Sequence, residues 1–118
     1  MGLRDLILKS EDIKLNKIHV KEWGCDIYIK QICPREQNEY FQWCDEERKK
    51  YGELSIGRVN SKYVTMLVCD ENGKRVFSDD DFDKIMEKNA CVINYIAEKI
   101  NDINTFTTAE VEDIAKKC

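Results

Sequence analysis

The chain is poor in the residues that build active-site loops: of its 118 residues one is proline, one is histidine and five are glycine. No G-x-x-x-x-G-K-[ST], G-x-G-x-x-G or G-x-S-x-G pattern occurs, so neither a phosphate cradle nor a nucleophile elbow is available. The single histidine, His19, sits between Lys17 and Lys21 in a segment that reads as a strand. That setting fits an exposed surface residue better than the base of a cysteine nucleophile. Apolar runs are short, the stretch Met66 to Cys69 being typical, whereas a bilayer span needs roughly 18 such residues. Basic runs are shorter still, none exceeding Arg48-Lys49-Lys50, which argues against binding of a nucleic-acid backbone. Nothing in this inventory points to an enzyme, a membrane protein or a nucleic-acid binder.

What is present fits one soluble domain over residues 1–118, since a second core would have too little chain to bury. The N-terminus, with Arg4, Asp5 and Lys9 around a short apolar cluster, lacks the plan of a signal peptide, and Leu6 breaks the myristoylation pattern. The expected location is therefore the cytoplasm, where the six cysteines at 25, 33, 44, 69, 91 and 118 are thiols. No C-x2-C knuckle links any of them, so no metal site and no cofactor is expected. Net charge is −4, and the acidic excess lies beyond residue 50. Asp79-Asp80-Asp81 with Asp83 contributes much of it; lacking the alternate ligands and central glycine of a calcium loop, this cluster reads as the capped, acidic start of a helix.

Periodicity gives an α+β, mainly α chain: an N-terminal β-hairpin packed against a bundle of about four to five helices. Leu3, Leu6 and Ile7 share one face of a short helix within residues 1–10. Residues 17–32 alternate apolar and polar, with Ile18, Val20, Cys25, Ile27 and Ile29 on one side and Gly24 at the turn, which predicts a hairpin. Pro34 at a helix start and Gly52 at its end bracket a long helix in which Tyr40, Phe41 and Cys44 form an apolar stripe. Residues 54–68 read as a helix, with a strand from 63 as the competing reading. Asp70-Glu71-Asn72-Gly73 is a turn, and the extended piece closes at 77. Ser78 with Asp81 opens a helix whose buried side is Phe82, Ile85 and Met86; Asn89 caps another with Val92, Ile93, Ile96, Ala97, Ile100 and Ile103. Thr107 with Glu110 opens a last helix with Val111, Ile114, Ala115 and Cys118 on its apolar face.

Surface for partners is the remaining functional resource. Tyr40, Phe41 and Trp43 lie within one helical turn and cannot all face one core, and Trp23 at the hairpin tip is hard to cover fully. The Ile-rich helix, through Ile93, Ile96 and Ile100, suits self-association or a groove for a partner helix. These seven residues are the candidate partner-binding positions.

The order of the pieces resembles the tail assembly chaperones of long-tailed bacteriophages. The resemblance is carried by the short first helix, the hairpin from Ile18 through Glu22-Trp23-Gly24 to Ile29, the helix opened by Cys33-Pro34-Arg35-Glu36, and the stretch Val68 to Asp79 with its Asp-Glu-x-Gly turn and Ser-Asp helix start. Cys33 stands where such proteins tend to carry a small polar cap. The resemblance implies a non-enzymatic protein of infected cells that binds the tape-measure protein, keeps its apolar helices soluble, recruits tail-tube subunits and is absent from the mature virion. It also implies that a longer frameshifted product commonly accompanies such a chain. A small head or tail connector or adaptor protein of a phage particle is the alternative.

Overall fold

A computed structural model describes residues 2–104. The chain runs α1 (Leu3–Lys9), β1 (Leu15–Val20), β2 (Cys25–Lys30), α2 (Pro34–Tyr51), α3 (Ile56–Leu67), β3 (Val68–Cys69), α4 (Phe82–Met86) and α5 (Ala90–Asn104). This is an α+β, mainly α architecture, with the hairpin packed on helices. The helix expected after Thr107 lies outside the described residues.

The hairpin forms where alternation places Val20, Ile27 and Ile29 in the core, with Ile18 opposite Ile27 and Val20 opposite Cys25. A one-residue slip would turn that apolar face to water, so the core fixes the register. Its turn is wider than a single glycine: Lys21–Trp23 makes a 3-10 turn, and Gly24 closes it at φ 64°, donating its N–H to the Lys21 carbonyl at 3.1 Å. A Cβ at Gly24 would meet no atom within 4 Å, so replacement is penalised by backbone conformation alone. Gly24→Ala is expected to cost about 1 kcal/mol in urea unfolding, with an unchanged m-value. A cost near zero would mean that the turn relaxes.

Pro34 opens α2 as expected, and Gly52 ends it at φ 86°. Cys33 contributes no side-chain cap bond; instead the Glu36 carboxylate accepts the Cys33 N–H at 3.2 Å, supplying half of a capping box. Burial raises the Glu36 pKa, but Lys30 Nζ at 2.6 Å and the Cys33 N–H outweigh it and hold the carboxyl below its ordinary value. The same ion pair ties α2 to β2.

Residues 56–67 are helical, and the chain then extends at once into β3. This third strand pairs antiparallel with β2, Ile29 opposite Val68 and Tyr28 opposite Cys69, making a sheet of order β1-β2-β3. The sequence reading expected a hairpin alone. After the Asp70–Gly73 turn, Val76 donates to the Val68 carbonyl at 3.1 Å, and Arg75 Nε reaches the Thr65 carbonyl at 2.9 Å. Ser78 N–H donates to Asp81 at 2.9 Å, and the acidic start is a 3-10 turn, Asp79–Asp81, ahead of α4. Its first acid does more than complement a helix dipole: Asp79 accepts Arg75 at 2.6 Å and lies 3.7 Å from Lys62. Met86 is exposed, so α4 buries Ile85 and half-buries Phe82. Asn89 caps α5, accepting the Cys91 N–H at 2.8 Å.

The core lies between the sheet, α3 and α5. Ile29, Val64, Leu67, Val68, Ile96 and Ile100 are fully enclosed there. Among the described residues, Cys44 and Cys69 are buried, Cys33 is half-buried, Cys25 and Cys91 are exposed, and all five are free thiols. Burial pushes the Cys69 thiol pKa up, which keeps it protonated and unreactive.

Candidate partner-binding surface

The aromatic cluster of α2 divides as its angular spacing requires. Tyr40 turns inward and meets the Tyr63 ring edge-on at 4.5 Å; burial, with hydrogen bonding to Cys44 and Tyr63, raises its phenol far above the ordinary value. Trp43 is half-buried against Phe82, 5.9 Å between ring centroids, with Lys62 Nζ over the Trp43 ring at 5.7 Å from its centroid. Phe41 is 58% exposed, its ring stacked on that of Tyr40 at 6.0 Å between centroids. A large apolar ring left this open on a helix surface is a ready anchor for a protein partner.

One turn further along α2, Glu47 is buried and takes two hydrogen bonds from Arg58 of α3, at 2.6 and 2.8 Å. The guanidinium is flanked by the Tyr51 and Phe82 rings, 5.0 and 4.9 Å from their centroids. Those hydrogen bonds depress the Glu47 pKa and raise that of Arg58. This clamp fixes α2 on α3 and thereby sets where Phe41 points.

A second open feature is a groove between α5 and β1, the edge strand of the sheet. Ile18 and His19 line one wall; Tyr95, Lys99 and Ile103 line the other. It continues past His19 and Tyr95 to Lys21, Glu22 and Cys91 at the hairpin tip. His19 is exposed, with Nδ1 2.7 Å from Asp26, and Lys17 lies 3.4 Å from the same carboxylate. The hydrogen bond from His19, with Lys17, lowers the Asp26 pKa. Charges at a strand edge discourage the addition of another strand.

The seven sequence-selected positions do not form one patch. Phe41 is exposed; Trp23 and Trp43 are partly covered; Tyr40, Ile93, Ile96 and Ile100 are buried in the core. In this conformation the three isoleucines hold α5 on α3 and the sheet, and a partner could touch them only if α5 lifted away. The edge-strand groove was not singled out by sequence, and Tyr95, spaced off the Ile stripe, was its one available signal.

The family model for phage tail assembly chaperones matches residues 2–117. The chain belongs to that family. Among solved structures, the tail assembly chaperone of bacteriophage HK97 matches over 89% of this chain and 95% of that one, with a TM-score of 0.61 at 17% identity, a likeness of fold. No curated protein matches the chain. No described helix is long and apolar enough to cross a membrane.

Proposed function

We propose that the chain is a non-enzymatic chaperone that binds the tape-measure protein of a tailed phage, keeps its apolar helices in solution and helps recruit tail-tube subunits. Family membership across residues 2–117 is the observation that carries this reading. It acts in the cytoplasm of the bacterial host and leaves before the virion is complete. Phe41, Trp43 and Trp23 supply aromatic contacts, and the groove along α5 accepts a segment of the partner. Ile93, Ile96 and Ile100 lie in the core and would reach a partner or a second copy only through rearrangement of α5.

Co-expression with the phage's tape-measure protein tests the reading. The tape-measure protein should become soluble and co-purify with this chain, while purified virions should lack it. No gain in solubility and no co-purification would defeat the proposal; detection in virions would favour a connector or adaptor role. Phe41→Ala is expected to weaken capture about tenfold, corresponding to roughly 1.4 kcal/mol, with stability within about 0.5 kcal/mol of the parent. Equal capture by parent and variant would remove Phe41 from the interface.

A further inference from the structure

Among the described residues the sheet has one open edge. Beyond β3 the chain returns alongside it, Arg75 bridging to Cys69 and Val76 donating to the Val68 carbonyl at 3.1 Å, whereas no described strand lies on the outer side of β1. The ladder identifies the groups this leaves over. Gln31 donates to the Lys14 carbonyl at 3.2 Å, and antiparallel alternation then makes Asn16 with Ile29, Ile18 with Ile27 and Val20 with Cys25 the next hydrogen-bonded pairs. The N–H and C=O groups of Leu15, Lys17 and His19 therefore point away from β2. Beside them runs the groove against α5, about 700 Å³ in volume, where Ile18, Tyr95 and Ile103 offer apolar surface. From Lys14 to Lys21 the chain carries three lysines, one histidine and no acid, in a protein of net charge −4. Lys17 and His19 share the one carboxylate of Asp26, and Lys14 and Lys21 form no ion pair among the described residues.

We propose that this edge docks an extended acidic segment of a partner protein, which adds to the sheet as a fourth strand; the chaperone reading enters only in naming a tail protein as its source. Paired to Leu15, Lys17 and His19, the segment sets alternate side chains over Ile18 towards Tyr95 and Ile103, and the others beside Lys17 and His19, where carboxylates meet opposite charge across the strands. The sequence that fits alternates apolar residues with Asp or Glu. Edge charges oppose a neutral strand, which leaves them unpaired, and oppose a like-charged one more strongly. Two copies of β1 side by side would bring lysines against lysines, so the same charges that exclude a second copy admit an acidic strand. Main-chain hydrogen bonds supply the affinity, and the side chains select the sequence. Glu22 at the hairpin tip and Asp102 on the last turn of α5 bound the basic stretch.

Amide hydrogen exchange read by NMR on the full chain, with the synthetic peptide Glu-Val-Glu-Ile-Glu-Val-Glu, tests this. In the free protein the amides of Asn16, Ile18 and Val20 should be protected and those of Leu15, Lys17 and His19 open. The peptide should slow the second set about tenfold and leave α5 unchanged. Its counterpart Lys-Val-Lys-Ile-Lys-Val-Lys should have no such effect. Lys17→Glu/Lys21→Glu should reverse the preference, and Lys21→Glu alone, with no ion pair to lose, should weaken binding of the acidic peptide even where the double variant fails to fold. Absence of protection in the second set would overturn the proposal, as would equal protection by both peptides. Shifts at Tyr95 and Lys99 without protection of β1, the signature of a helix in the groove, would overturn it too. The outcome is separable from tail-protein capture: co-purification without edge pairing removes this inference alone, and edge pairing without co-purification removes the chaperone reading and keeps the docking edge.

Discussion

Ile96→Ala is expected to destabilise the chain by about 3 kcal/mol, lowering Tm by roughly 10 °C. Ile96 is fully enclosed where α5 meets α3 and the sheet, so the lost methyl and methylene groups leave a cavity that close-packed neighbours fill only in part. Calorimetry would measure the loss directly. The conservative Ile96→Val should cost only about 1 kcal/mol. Capture of a tail protein by Ile96→Val, measured well below Tm, should equal that of the parent. A variant of near-parental stability that has lost capture would place Ile96 at the interface and require α5 to lift during binding.

The second large effect concerns the clamp between α2 and α3. Arg58→Met should destabilise by about 2 kcal/mol at pH 7, because Glu47 is left buried without its bidentate partner; the figure is set below that of a fully buried pair because about a quarter of the Arg58 side chain meets solvent. The pH dependence has a defined sign. Arg58 depresses the folded-state pKa of Glu47, so the pair's contribution is present above the unfolded carboxyl value of about 4.3 and is lost as pH falls through the lower folded value. Without Arg58, burial instead favours the protonated acid, and the variant sheds its penalty on acidification. The gap between parent and variant should therefore narrow from pH 7 towards pH 3–4. A gap that stays constant in urea unfolding across that range would show that the loss comes from packing against Tyr51 and Phe82 rather than from charge.

Local signals in the sequence carried much of this fold because they are imposed by neighbouring residues. Pro34 and Gly52 bracket α2, Asn89 caps α5, and alternation from Ile18 to Ile29 defines the hairpin. The strand β3 was illegible for the opposite reason: two residues, Val68 and Cys69, are strand only because β2 lies beside them, and no period can show in so short a piece. Apolar stripes were read correctly as buried surface on α5, but a stripe does not say whose surface covers it. Ile93, Ile96 and Ile100 looked available to partners and instead serve the core, whereas Leu3, Leu6 and Ile7 remain open in the described residues. Angular spacing on α2 required that Tyr40, Phe41 and Trp43 diverge without saying which would be open; Phe41, read in one apolar stripe with Tyr40 and Cys44, is the ring left exposed.

Pairing of β2 with β3 also sets a clock on synthesis. The hairpin is complete once Lys30 has been made, but the far edge of β2 waits for Val68 and Cys69, roughly 40 residues later. At bacterial elongation rates of up to about 20 residues per second, that interval is on the order of 2 s or more. A two-stranded hairpin alone is marginal in water, so over that interval β1 and β2 lack both the third strand and the helices that cover their apolar face. Translation speed across residues 31–69 thus sets how long β2 waits for its third strand.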